Sequence, residues 1–229
     1  MDILKKVEEL VKPQYDMQED WIHSWMHIKD VVDNSKKLCG MEGINPFLCI
    51  IAAYCHDLGR IEEEKRKSRG EPFLPHALLS IKPTIDILNK VGISGTDFAK
   101  IIEAVTIHSY RIYEGDNEVA QILQDADKLT GLGHRGFLDI IKYFGGKDFI
   151  DADKIIEFGN NEIMLKEFDK YSLEQLEKDS LLNDVIKGLD FKINYENLFH
   201  TKSVKILARE RIEYFKKLKE ILVDKFNLF

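Results

Sequence analysis

Ile50-Ile51-Ala52-Ala53-Tyr54-Cys55-His56-Asp57-Leu58-Gly59-Arg60 is the stretch on which the reading of this chain turns. A run of six apolar residues is bound for an interior, and this one ends on an imidazole beside a carboxylate. Such a pair puts a nitrogen donor and an anionic oxygen donor at the edge of a core. Together they suit Mn²⁺, Fe²⁺, Zn²⁺ or Mg²⁺. A lone His-Asp dipeptide carries little weight, but further candidates flank this one. His27 lies upstream, and His76, His108 and Asp127 lie downstream.

Working outward, the periodicity is helical almost throughout, and strand-like alternation is weak. Asn45-Pro46 opens the helix that leads to His56, with Asn as cap and Pro as first helical residue. Upstream, a short helix is expected to end before Pro13, and another to run from about Trp21 to Leu38 and stop near Gly40 or Gly43. Downstream, residues 59–75 read as the longest polar connection, carrying Lys65, Arg66, Lys67 and Arg69. A helix from about His76 to Lys90 should kink or split at Pro83. Ser94 or Thr96 can cap the next, which ends on His108. Further helices are expected from about Glu118, from Phe137 to Phe144 and from Lys202 to Lys225. The pattern predicts one all-α domain with a C-terminal helical extension.

Composition sets limits. A chain of 229 residues with 44% hydrophobic content can bury a sizeable core. Net charge is −7, which argues against nucleic-acid polymers and anionic membranes as partners. No 18-residue apolar span exists, and Met1 to Val11 is charged and amphipathic, unlike a signal peptide. Cys39, Cys49 and Cys55 are an odd, sparse set in apolar segments. They predict a reducing compartment, the cytoplasm.

His23 and His27 stand four apart, on one helical face. The zinc-protease pattern His-Glu-x-x-His fails here, because Ser24 stands where the general-base Glu would be. One of the pair can bind metal while the other supports it or meets substrate. Asp125 and Asp127 are two apart, about 200° around a helix, so one metal is not expected to take both. Ordinary packing is the expectation for His134, His200, Cys55, Trp21 and Trp25. The basic run 65–69 reads as a solvated loop, with gripping a polyphosphate as the rival role.

The order His27, His56-Asp57, Asp127 resembles the H…HD…D signature of the HD-domain metal-dependent phosphohydrolases. The local words agree. His23-Ser24-Trp25-Met26-His27-Ile28 is similar to H-D-W-x-H-v, with Ser24 departing from Asp. His56-Asp57-Leu58-Gly59-Arg60 is similar to H-D-[IL]-[GK], and residues 122–129 are similar to I-L-Q-D-A-D-[RK]-L. Arg209-Glu210-Arg211 in a terminal helix resembles the small stand-alone members.

The resemblance implies an HD-type helical bundle over 1–229, with a metal-binding core at about 20–145 and the helical extension at about 150–229. It implies His27, His56, Asp57 and Asp127 as metal ligands, with Asp125 capping or orienting. One divalent ion (Mn, Mg, Fe, Ni or Zn) per protomer is favoured over two. Asp57 would also orient or deprotonate water, Arg60 and Lys128 would steady phosphate oxygens, and His23, His76 and His108 would line the substrate pocket. The implied activity is hydrolysis of a nucleotide or related phosphate ester, and a homodimer is compatible with it. No G-Y-P word follows, which disfavours a cyclic-di-nucleotide phosphodiesterase. Thr130-Gly131 stands where guanosine-tetraphosphate hydrolases carry H-N. The rival is a non-catalytic module that keeps the fold and uses its metal for structure or sensing.

Overall fold

The computed structural model describes residues 2–16, 23–111, 113–145 and 182–226. Among them there are helices and no strands, so the all-α expectation holds. The order is α1 (Ile3–Tyr15), α2 (Trp25–Glu42), α3 (Pro46–Cys55), α4 (Arg60–Ser68), α5 (His76–Leu79), α6 (Ile81–Val91), α7 (Gly95–Ile107), α8 (Glu118–Thr130), α9 (His134–Gly145), α10 (Leu182–Ile193), a 3₁₀ turn (Asn194–Asn197) and α11 (Lys202–Phe226). Among the described residues no helix is long and apolar enough to cross a membrane. The helices expected within 146–181, and Trp21, lie outside the described residues.

Contacts divide the chain into two compact units. The first holds residues 1–127 and 200–204; the second holds 128–199 and 205–229.

In the first unit α3 is the central helix. It is apolar on every side, and Cys49 through Cys55 are all buried, as expected for a helix with no solvent face. It packs against α1, α2 and α7. Asn45 caps it, its side chain accepting from Phe47 N at 3.0 Å with Pro46 in the first turn. The helix stops at Cys55, and His56 is its C-cap. On α1, Val7, Val11 and Tyr15 are buried at four-residue spacing. Tyr15 Oη donates to Tyr54 O at 2.8 Å.

Two expectations shift. Pro13 lies inside the last turn of α1 instead of beyond its end, because the buried Tyr15 holds that turn to α3. The second helix ends at Glu42 on Gly43, one of the two expected stops, with Gly43 in the left-handed region at φ 71°. The polar connection at 59–75 contains a helix, α4. Glu62 and Glu63 fill its first turn, and Lys65, Arg66 and Lys67 fill its last. That arrangement complements the helix dipole without any apolar stripe, so periodicity had nothing to detect. The expected break near Pro83 is a split. α5 ends at Leu79, α6 starts at Ile81, and Pro83 falls in its first turn, where a missing N–H is tolerated.

In the second unit α10 packs on α9, and Ala208, Ile212, Phe215, Leu218 and Leu222 form the buried stripe of α11. Arg211 Nη1 donates to Leu129 O at 2.8 Å, joining Leu132 N at 3.3 Å on that carbonyl at the end of α8. The His134 ring lies 4.4 Å from that of Tyr214, so His134 is engaged in packing.

Candidate metal centre

His56 and His108 occupy equivalent positions. Each is the C-cap of its helix, α3 and α7. Each ring turns back, Nδ1 of His56 to Ala53 O at 2.8 Å and Nδ1 of His108 to Val105 O at 2.7 Å. A carbonyl only accepts, so Nδ1 carries the proton and Nε2 faces away from the helix as a donor for metal. Two helix C-termini, the negative ends of their dipoles, thus frame the same spot, which favours a cation.

The other two rings meet these. His27, in the first turn of α2, brings Nε2 to 3.3 Å from His56 Nε2. His76, the first residue of α5, brings Nε2 to 3.1 Å from His108 Nε2. Two imidazole nitrogens bound to one ion at about 2.0–2.1 Å stand about 3.3 Å apart at a tetrahedral angle, so both separations suit shared ligation. Asp57 sits between the pairs. Its Oδ2 is 3.7 Å from His27 Nε2 and 3.4 Å from His56 Nε2. Its Oδ1 is 3.3 Å from His76 Nε2 and 3.5 Å from His108 Nε2. The four rings and this carboxylate form two groups able to hold a metal, His27/His56/Asp57 and Asp57/His76/His108, all buried. Imidazole nitrogens and carboxylate oxygens thus converge within each group at separations a single ion can span, so the donor set fits a divalent metal.

Asp127 Oδ1 stands 3.4 Å from His27 Nε2, and its side chain is 29% exposed. Asn34 Nδ2 donates to Ala126 O at 3.3 Å, which ties α2 to α8 beside that contact. Asp125 faces elsewhere. Its Oδ1 accepts from His200 N at 2.9 Å, and its Oδ2 accepts from Thr201 N and Oγ1 at 2.8 Å each. Thr201 Oγ1 in turn accepts from Val204 N at 3.2 Å, so Asp125 anchors the start of α11. His200 Nε2 meets Gln124 Oε1 at 2.8 Å, a satisfied structural histidine.

Charge follows from this packing. Burial lowers the His27 pKa to about 3, leaving a neutral ligand. Burial also opposes charge on His56, but the Asp57 and Asp127 carboxylates outweigh it and raise its pKa to about 9. Burial takes His76 down to about 4. Asp57 resists burial because Arg60, His56 and His108 hold its carboxyl well below the ordinary range.

Several residues here escaped sequence reasoning. Ser80 Oγ donates within reach of His56 O and His76 O at 2.8 and 2.9 Å, and accepts from Gly59 N at 2.8 Å. A Cβ on Gly59 would stand 2.2 Å from His76 O, so only glycine lets this turn approach α5. Gln124 Nε2 donates to Ile107 O and Tyr110 O, holding the end of α7 that presents His108.

Of the remaining sequence candidates, Arg60 Nε donates to Asp57 Oδ1 at 3.2 Å with its side chain 24% exposed. His23 is buried, its ring 5.9 Å from that of His27. Lys128 follows Asp127 in the chain and groups with the second unit. The run 65–69 is helix and turn instead of a loop. Arg66 pairs with Glu71 at 2.9 Å and Arg69 with Glu62 at 2.8 Å. Trp25 stacks on Tyr54 at 5.8 Å, and Cys55 is buried in the core.

Residues 25–132 match the family model of the HD domain. No curated protein matches the sequence. Among solved structures, an HD-superfamily hydrolase from Bacillus thuringiensis is 20% identical, with 99% of each chain covered and a TM-score of 0.65. A predicted HD-superfamily hydrolase from an uncultured Thermotogales bacterium is 16% identical, covering 97% of this chain and 92% of its own, with a TM-score of 0.61. Bacillus subtilis YpgQ in complex with ADP is 21% identical over 98% of this chain and 97% of its own, with a TM-score of 0.61. At these identities the likeness concerns the fold.

Proposed function

We propose, from the match of residues 25–132 to the HD-domain family model, that the chain is a metal-dependent phosphohydrolase acting on a nucleotide or a related phosphate ester. The observation that carries this reading is the pair of Nε2–Nε2 approaches, 3.3 and 3.1 Å, on either side of one buried carboxylate. The fold shared with HD-superfamily hydrolases supports hydrolysis. The ADP bound to YpgQ, a protein of the same fold, supports a nucleotide as ligand.

His27, His56, Asp57 and Asp127 would hold the ion. When bound, a divalent cation neutralises phosphoryl charge and makes water a better nucleophile at neutral pH. The protein's own groups do the rest. Asp57 is anionic and weakly basic, which suits orienting a water more than storing its proton. Arg60 keeps partial solvent access, 24% of its side chain, while bound to Asp57, so a guanidinium stands where a phosphate oxygen could meet it. Lys128 and His23 are further candidates for substrate contact. His76 and His108 would meet the phosphate if one ion is bound. The Asp57/His76/His108 group favours a second reading, in which His76 and His108 would hold a second ion together with Asp57.

Purified protein should take up divalent metal and release phosphate or pyrophosphate from at least one member of a nucleotide panel, with loss on chelation and recovery on adding Mn²⁺. Metal analysis beside the titration gives the number of ions. Full metal occupancy with no turnover of any phosphate ester would favour the non-catalytic module instead.

A further inference from the structure

Four side chains close a ring at one edge of the metal centre. Arg60 Nε donates to Asp57 Oδ1 at 3.2 Å, and Arg60 Nη1 donates to Glu63 Oε2 at 3.3 Å. Glu63 Oε1 accepts from the His76 backbone N–H at 2.9 Å and faces His76 Nδ1 at 3.4 Å. His76 Nε2 returns to Asp57 Oδ1 at 3.3 Å. Asp57, Arg60 and His76 have parts in the proposed reaction; Glu63 so far has none. Its side chain is 15% exposed, with both oxygens turned into the ring.

The need for such a residue follows from where His76 sits. His56 and His108 end their helices, so a carbonyl three residues back fixes each Nδ1–H. His76 begins a helix and has no such carbonyl behind it. An ionised carboxylate accepts and cannot donate, so Nδ1 bonds Glu63 only in the tautomer that carries its proton there. That tautomer leaves the Nε2 lone pair aimed at His108 and Asp57. The same carboxylate holds Arg60, which holds Asp57 Oδ1.

We propose that Glu63 is a positioning residue for the metal centre: it sets the His76 tautomer through Nδ1 and steadies Asp57 through Arg60. This rests on the reading of the histidine–aspartate cluster as a metal centre. A simpler role is a cap on the first backbone N–H of α5, which needs an acceptor and no charge. Glu63→Gln separates the two. The amide oxygen can still cap His76 N, but it is a weaker acceptor for Nδ1–H, and its NH₂ group confronts the Arg60 guanidinium, donor against donor.

The test is a long-range ¹H–¹⁵N correlation spectrum of the imidazoles in metal-free protein, with His76 assigned by its absence in His76→Gln. Wild type should show His76 protonated at Nδ1, and Glu63→Gln should move it toward the Nε2–H form. Mn²⁺ titration of Glu63→Gln should then show uptake at the His76/His108 half weakened about 10–100-fold, the usual cost of losing a supporting partner. The same His76 tautomer in both proteins would overturn the proposal. If wild type took up no divalent ion, the metal-centre reading itself would fail, and the tautomer comparison would still decide the part played by Glu63.

Discussion

The two histidine pairs on either side of Asp57 are built from the same donor types and held in different ways. On the Oδ2 side, His27 and His56 meet with a second carboxylate, Asp127, close by. On the Oδ1 side, His76 and His108 meet with Arg60 and Glu63 around them. One half therefore gathers two carboxylates, Asp57 and Asp127, whereas in the other the Arg60 guanidinium offsets one of the two, Asp57 and Glu63. Coulomb attraction for a dication is stronger where the excess of negative charge is larger. The lesson is that ligand identity alone does not rank the halves; the charges behind the ligands do. The Oδ2 half should fill first and hold its ion more tightly.

Asp57→Ala should have the largest effect, because one carboxylate serves both halves. Metal content should fall to a small fraction of wild type, read by elemental analysis after dialysis. Retention of a full ion would show that the halves do not depend on Asp57. Next comes His56→Ala, which removes a ring with no solvent exposure from the tighter half. Most of the metal that survives gel filtration should go, whereas His76→Ala should leave most of it. The reverse order would invert the ranking.

The basis for that ranking was only partly legible in the sequence. His56 and Asp57 stood out because an apolar run led straight into them, and His27 and Asp127 followed from their order and local words. The shared role of Asp57 did not stand out, since nothing in a linear pattern says that His76 and His108 converge on its second oxygen. Ser80 and Glu63 were illegible for the same reason. Ser80 reaches Gly59 across 21 residues, and Glu63 reaches His76 across 13. α4 was missed because charge order, not apolar period, supports it. Asp125 could be set apart from Asp127 by helical phase, but its partner, the turn at 200–201, became visible only in three dimensions.

Proton competition sharpens the comparison further. Carboxylates hold the His56 pKa at about 9, so in metal-free protein near neutral pH its imidazole carries two protons. Metal must displace one of them. Below the His56 pKa the proton competes, and the competition weakens as pH rises. Apparent affinity at the Oδ2 half should therefore climb about tenfold per pH unit from neutral toward pH 9, and then level off. His76, with a pKa of about 4, has no such proton to release at neutral pH. Calorimetry in two buffers of different ionisation enthalpy should register close to one proton released with the first ion and less with a second. Equal release at both steps would mean the two halves do not differ in charge as described.

The smallest effects should come from the two aspartates of α8. Asp127 adjoins only the Oδ2 half, through its 3.4 Å approach to His27. Asp127→Asn should weaken the first ion by roughly tenfold, the lower end of what a lost anionic contact does. It should leave the metal-free melting temperature nearly unchanged, because a side chain with 29% exposure can rehydrate. Asp125 adjoins neither half. Its two oxygens accept three hydrogen bonds from 200–201. An amide in its place keeps one acceptor and turns a donor toward donors, a mismatch of about 1–3 kcal/mol for a buried group. Asp125→Asn should thus lower the melting temperature of metal-free protein while the first-ion affinity stays within about twofold of wild type, a shift well under 1 kcal/mol. Mn²⁺ titration and thermal unfolding on the same two samples give a crossed pattern if the assignment is right. A stronger loss of metal in Asp125→Asn than in Asp127→Asn would exchange their roles and remove from the Oδ2 half the extra charge that ranks it first.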